Sequence, residues 1–264
     1  MTEPPSPDTA TPRRTVDVLG VHFDALTIPE AVHRLVTLAS GTGSHLVLTP
    51  NVDHVLRARR DPAFAALCAS GSLVIADGQP IVWAARLLGR PLPERVAGSD
   101  VMPRSVVAAA RAGLRYYFLG GNPGDAARAA AILAAEAGRD GLCGVDVPPF
   151  GFEHDAEYLA GLIGRIRAAR PQIVYVGLGS PKQEFVMQRL QAATGVPVFM
   201  AVGVTFSFVA GTVRRAPRLL RRVGLEWLWR LLCEPRRLWR RYAQNLAVFP
   251  WLVLRERLRR PRAR

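Results

Sequence analysis

The sequence has only three cysteines, Cys68, Cys143 and Cys233, odd in number and far apart. They make neither a disulfide framework nor a zinc site, and a reducing cytoplasm suits them. Lysine is nearly absent: of 35 basic residues only Lys182 is one. So uniform a preference is what a biased genome composition produces, and arginine over lysine is not in itself functional evidence. Long apolar runs are missing too. The longest late one, residues 246–254, contains Pro250, whereas a membrane-spanning helix needs roughly 20 apolar residues. The opening MTEPPSPDTATPRRT has no apolar h-region, so residues 1–14 read as a disordered lead and not as a signal peptide. Five histidines (His22, His33, His45, His54, His154) show no metal-ligand spacing, and no Asp-x-Asp pair occurs anywhere. No metal site and no cofactor are expected.

What is present is a chain of 264 residues, 49% hydrophobic, with a net charge of +14. That is enough for one domain with a sizeable core, or one domain with an appendage. The charge is unevenly placed. Residues 212–264 hold 16 of the 35 basic residues and three of the 21 acidic ones, Glu226, Glu234 and Glu256. The first 211 residues are nearly neutral, and the last fifth is a cationic segment of the kind that seeks phosphate.

Periodicity divides the body further. Residues 15–24 alternate weakly around Gly20 and read as a short hairpin. Residues 28–39 have helical spacing behind Thr27 as N-cap, with Pro29 in the first turn. Short apolar strands are expected at 45–49, 73–76, 115–119, 142–145, 173–176 and 198–202. Between them lie helices at 53–69 (with a break at Asp61-Pro62), 80–88, 99–112, 123–137, 155–169 and 181–194. The alternation predicts an α/β fold with a largely parallel sheet flanked by helices. Ligands of such sheets bind at the carboxyl ends of the strands. From Thr212 no strand follows. Helices are expected at 219–232 and 236–258, with Trp227, Trp229, Trp239, Tyr242, Phe249 and Trp251 interleaved among arginines. The division is thus a lead at 1–14, a body at 15–211 and a helical basic appendage at 212–264. Three readings of the appendage remain open: a helical pair at a membrane–water interface, a charged helix packed on the body, or a single-strand RNA platform.

Five strand ends carry candidate chemistry. Thr49-Pro50-Asn51 offers a hydroxyl and an amide, or simply an N-capping turn. Asp77-Gly78 offers a general base, or a turn. Arg95 in RVAGSD suits an anion clamp, with Ser99 or Asp100 capping the next helix. Gly120-Gly121-Asn122-Pro123-Gly124-Asp125 lets backbone N–H groups approach a phosphate. It is neither a P-loop nor G-x-G-x-x-G, which opposes NTP hydrolysis and a nucleotide-binding oxidoreductase. Gly177-Leu178-Gly179-Ser180-Pro181-Lys182-Gln183-Glu184 opens a helix, with Gly179 and Ser180 placed to cradle phosphate and Lys182, Gln183 and Glu184 to contact sugar or base.

Taken in order, Thr49-Pro50-Asn51, Ile75-Ala76-Asp77-Gly78, Arg95-Val96-x-Gly98-x-Asp100, Phe118-Leu119-Gly120-Gly121 and Gly179-Ser180-Pro181-Lys182-Gln183-Glu184 resemble the WecG/TagA/CpsF glycosyltransferases, glycosyltransferase family 26. So do the later Gly211-x-x-x-Arg215-Ala216-Pro217, Gly224-Leu225-Glu226-Trp227-x-x-Arg230-Leu231, Glu234-Pro235-x-Arg237 and Arg240-Arg241-Tyr242. The resemblance covers about Val16 to Phe249; Ser207 departs from a frequent Asp. It implies a Rossmann-like body and an inverting hexosyltransferase. The sugar transferred would be of the N-acetylmannosamine type. The donor would be a UDP-sugar, and the acceptor an undecaprenyl-pyrophosphate-linked N-acetylglucosamine. The setting would be teichoic-acid-like polysaccharide and cell wall biogenesis. By the same resemblance Asp77 is the base and Thr49 its neighbour, Asn51, Arg95 and Gln183 line the cleft, and Arg230, Arg237 and Arg240 belong to an appendage that closes the site and touches the membrane. The protein would then be cytoplasmic and peripheral on the anionic inner face of the cell membrane, with no nucleic-acid partner and with room for a homo-oligomer. Lacking Asp-x-Asp, the leaving group would rely on arginines and N–H donors without metal. Transfer of another UDP-hexose or UDP-uronate, or nucleic-acid binding by the tail, are the alternatives.

Overall fold

The computed structural model describes residues 13–222 and 224–259, apart from a few side chains among the late helices, Arg237 included. The expected lead falls largely outside the described residues. Its last two residues, Arg13 and Arg14, belong to the body instead. Buried Asp24 needs a countercharge, and the Arg13 guanidinium supplies it through bonds of 2.6 and 2.9 Å. Strands β1 (Thr15–Val18) and β2 (Val21–Asp24) pair antiparallel. Leu19 and Gly20 between them both have positive φ, 56° and 92°, which matches a two-residue hairpin turn.

The six apolar segments form one parallel sheet of β3 (His45–Leu48), β4 (Leu73–Val74), β5 (Tyr116–Gly120), β6 (Leu142–Asp146), β7 (Ile173–Gly177) and β8 (Val198–Ala201), in the order β4-β3-β8-β7-β5-β6. Successive strand residues face opposite ways, so each strand feeds two cores. Leu46, Leu48, Leu119, Val174, Val176 and Phe199 pack under α2 (Val52–Ala58), α3 (Pro62–Ala69), α4 (Gln79–Leu87), α7 (Ala156–Ala169) and α8 (Lys182–Thr194). Val47, Phe118, Tyr175 and Met200 pack under α1 (Ile28–Ser40), α5 (Gly98–Arg111), α6 (Asp125–Ala137) and α9 (Thr205–Ala210). The break expected at Asp61-Pro62 is there, because the Asp61 carboxylate accepts the Ala63 and Phe64 amides and starts α3.

The appendage departs from expectation in one place. The helix expected over 219–232 is two, α10 (Arg218–Arg222) and α11 (Glu226–Cys233), divided at Gly224 with φ of 78°. A Cβ there would lie 2.4 Å from Gln79 Cγ and 3.2 Å from Trp83 Cζ2. Both the bend and the close approach to α4 therefore require glycine. Helix α12 (Pro235–Arg259) runs unbroken through Pro250. Leu238, Phe249 and Val253 are buried, the last two in the core cluster beneath α2 and α4, while Trp239, Leu246, Trp251, Leu254 and Leu258 on the same helix are exposed. Two buried side chains of this size contribute roughly 1.5–3 kcal/mol each, so the appendage is anchored by apolar packing beneath its charge. No described helix is long and apolar enough to cross a membrane.

Candidate active site

Loops after all six parallel strands converge on a cavity of about 850 Å³ at the carboxyl edge of the sheet, and α11 and α12 form its far wall. Thr49, just after β3, is buried, and its Oγ1 reaches only as far as the Ala201 carbonyl at 3.5 Å. Gly98, opening α5, packs so closely that a Cβ would stand 3.0 Å from Thr49 Cγ2. That contact fixes the threonine against the cavity wall.

Asp77 follows β4, and its backbone N–H donates to the Pro50 carbonyl. Gly78, with φ of 147°, turns the chain directly into α4. The Asp77 carboxyl is pushed up to about 6, chiefly because burial disfavours its charge. Arg95 and His54 pull it down; Glu226 and Asp100 push it up. A carboxyl set there is ionised at neutral pH and still basic enough to accept a proton.

Two networks hold this arrangement. In the first, Asn51 Oδ1 caps α2 through the Asp53 amide (3.0 Å) and meets His54 Nδ1 at 2.8 Å. His54 Nε2 lies 3.3 Å from Glu184 Oε1, which also accepts from Gln183 Nε2 at 2.7 Å. Gln183 Oε1 in turn accepts the Gly203 amide at 3.3 Å. The chain ties together the loops after β3, β7 and β8. Burial pushes the Glu184 carboxyl up, but the hydrogen bonds from His54 and Gln183 prevail and hold it below the usual carboxylate range.

The second network joins body to appendage. Asp100 pairs with Arg95 (2.7 Å), Arg215 (2.8 Å) and Arg221 (3.7 Å), and Glu226 pairs with Arg95 (3.4 Å) and Arg215 (3.2 Å). Arg215 also donates to Ser99 Oγ at 2.7 Å. Burial pushes Asp100 up, yet its arginines hold it below the ordinary value. Arg95 of this network also faces Asp77, so the seam and the candidate base share a cation.

Of the residues expected from sequence, Thr49, Asn51, Asp77, Arg95, Gly121, Gly179, Gln183 and Arg230 line this one cavity. Gly120 and Glu184 do not. A Cβ at Gly120 would meet the Gly177 carbonyl oxygen at 2.5 Å, so this glycine serves the close packing of β5 on β7. The Gly121 amide is likewise spent on the Gly177 carbonyl at 2.8 Å. Glu184 stands behind the wall, beneath His54 and Gln183. Arg240 is exposed and lies over the Trp239 ring at 5.4 Å, away from the cavity lining. The Arg237 side chain lies outside the described residues. Sequence reasoning missed His54, Arg221, Glu226, Arg241 and Tyr242, all of which line the cavity. Glu226 carried a signal, as one of three acids in a segment of arginines, and Arg241 and Tyr242 stood in a family-like motif without being assigned to the site. Ser207, which stands where Asp is frequent in the resembling family, donates to Asp125, which also receives Asn122 (2.9 Å) and Thr212 (2.8 Å). Among the described residues no group of three His, Cys, Asp or Glu side chains is placed to hold a metal.

Comparison with known proteins bears on the chemistry. The family described as "Glycosyl transferase WecG/TagA/CpsF family" matches residues 16–263. A protein of Bacillus spizizenii named N-acetylglucosaminyldiphosphoundecaprenol N-acetyl-beta-D-mannosaminyltransferase is 30% identical over 197 residues, covering 74% of this chain and 73% of that protein.

Proposed function

The chain belongs to the WecG/TagA/CpsF glycosyltransferase family, and on that premise we propose that it transfers an N-acetylmannosamine-type sugar from a UDP donor to a polyprenyl-diphosphate-linked N-acetylglucosamine, with inversion and without a metal. The observation that carries the reading is Asp77: a carboxyl raised to about 6, in a cavity whose opposite wall bears Arg221, Arg230 and Arg241. Asp77 takes the proton of the acceptor hydroxyl as its oxygen bonds to the anomeric carbon. The bond from that carbon to the UDP oxygen breaks, and its electron pair leaves with UDP. The charge growing on the diphosphate faces arginines in a partly enclosed site, where such interactions are stronger than in water. Thr49 and Asn51, fixed by packing and capping, position the reacting groups.

The exposed apolar stripe of α12, Trp239, Leu246, Trp251 and Leu254, flanked by Arg236, Arg240 and Arg255, supports a peripheral position on an anionic membrane, at the cytoplasmic face where such lipid-linked acceptors would be met. Teichoic-acid-like polymer synthesis is the corresponding process. The test is to incubate the pure protein with a panel of UDP-sugars and a short-chain lipid-diphosphate acceptor. Turnover of the N-acetylmannosamine donor above all others supports the proposal. Preference for another UDP-hexose or a UDP-uronate replaces the donor assignment.

A further inference from the structure

A second groove, of about 970 Å³, lies on the other side of the ion-pair seam. Its lining includes one face of α4, where Gln79, Val82, Trp83 and Arg86 follow the i, i+3, i+4, i+7 spacing of a single helical stripe. Asp100 and Arg104 of α5, one turn apart, face it, with Leu92 and Pro93 from the intervening loop and Arg221 from the appendage. Gln79, Trp83, Arg95 and Arg221 belong to the lining of both cavities. The groove therefore begins beside Asp77, which immediately precedes α4, and runs about 10 Å along that helix at 1.5 Å per residue to Arg86.

Its charge is unbalanced. Asp100 is engaged by three arginines, and Glu94 accepts the Ile28 amide at 2.7 Å, capping α1. Arg86 and Arg104 are exposed and make no ion pair among the described residues. Its walls are partly apolar: Trp83, 49% exposed, shares the lining with Leu92 and Pro93. Just past Arg86, outside the lining, Leu87 is 43% exposed, and its carbonyl accepts Arg257 Nη1 of α12. That contact joins the groove's outer end to the exposed end of α12 bearing Leu254 and Leu258. Cations at the outer end, beside an exposed leucine and an apolar stripe, match a ligand that is anionic at one end and hydrocarbon at the other.

We propose that this groove is the acceptor subsite. On this assignment Arg86 and Arg104 bind the diphosphate of a lipid-linked acceptor, and Leu87, just beyond them, leads its first isoprene units toward the outer face of α12, while the cavity at Asp77 holds the nucleotide-sugar. The assignment rests on the glycosyltransferase reading and adds where the second substrate lies.

Binding and kinetics test it separately. Farnesyl diphosphate is titrated into the full chain with and without saturating UDP, in the wild type and in an Arg86→Ala/Arg104→Ala variant. Both residues are exposed, so the variant is expected to fold, which circular dichroism checks. Simultaneous binding of UDP and farnesyl diphosphate, with the farnesyl diphosphate affinity about tenfold weaker in the variant and UDP affinity unchanged, is the expected result; about tenfold is what losing charge-assisted contacts of this kind gives. Displacement of farnesyl diphosphate by UDP would place both in one cavity and overturn the assignment, as would an affinity for it that the variant leaves unaltered. In turnover, the variant should raise KM for the lipid acceptor and leave KM for the UDP-sugar within about twofold; the reverse split also overturns it. Should the wild type bind both ligands side by side yet turn over no donor in the panel, the functional reading fails and the groove's ligand class stands.

Discussion

Asp77→Asn should make the protein more stable and less active, and the size of the first effect follows from the site. The Asp77 carboxyl rises from 3.8 to about 6 on folding. Every tenfold gain in proton affinity corresponds to about 1.36 kcal/mol, so an ionised Asp77 costs the fold up to about 3 kcal/mol. The direction is set by linkage. The folded state binds this proton more tightly than the unfolded chain. The penalty is therefore absent below about pH 4, grows as pH rises, and is complete above about pH 6. Urea unfolding near pH 7.5 should find the Asn variant more stable by up to about 3 kcal/mol, and the gain should vanish near pH 4. Turnover should fall by about 10²–10⁴-fold with UDP binding retained. For the wild type, kcat/KM should rise with pH along a limb centred near pH 6, where the base loses its proton. An Asn variant no more stable than the wild type near pH 7.5, or a limb centred below about pH 4.5, would mean that Asp77 is solvated like an ordinary carboxylate, and its role as base would fall.

Three further outcomes are expected. Activity should persist in EDTA, since arginines face the leaving diphosphate; complete loss that manganese or magnesium restores would refute this. Gly224→Ala should lift the appendage off α4, because alanine at positive φ costs about 1–2 kcal/mol and its Cβ would overlap Gln79. Hydrogen exchange in α10 and α11 should speed up and activity drop while the body melts as before, and unchanged exchange would show that the seam yields without glycine. Replacing Trp251 and Leu254 together by serine should weaken binding to anionic vesicles, and binding by the native chain should fall with salt; vesicle affinity indifferent to both would remove the membrane role of α12.

The strands and most helix limits were legible because buried parallel strands are short apolar runs and because Asp61-Pro62 and Thr27 carry their capping chemistry in local sequence. Helix α9 was not, since six residues of Thr205–Ala210 are too few to show a period. Nor was the bend at Gly224, which is decided by contact with α4, an element far earlier in the chain. The same reason hid His54. Its partner Glu184 is 130 positions distant, and nothing near His54 in sequence distinguishes it from a surface histidine. Asp77, by contrast, was readable from position as either a base or a turn residue at the end of an apolar strand, and the family resemblance favoured the base. Arg95 was readable as a cation of the cleft but not as the bridge it is, because both of its carboxylate partners are supplied by later helices.

Helix α12 answers to two solvents along one stretch of chain. The side chains of Leu238, Phe249 and Val253 are constrained by the shape of the body beneath them, while Trp239, Trp251, Leu254 and Leu258 are exposed and lie outside the cavity lining. Those four can therefore be exchanged for glutamate, lysine or glutamine as a group without altering the cavity wall, whereas Leu246 belongs to that wall. Such a recoded helix would provide a detergent-free form for crystallisation and solution kinetics. If the proposed membrane contact holds, the same freedom would let the outward stripe drift to suit lipids of different headgroup while the inner one stays put.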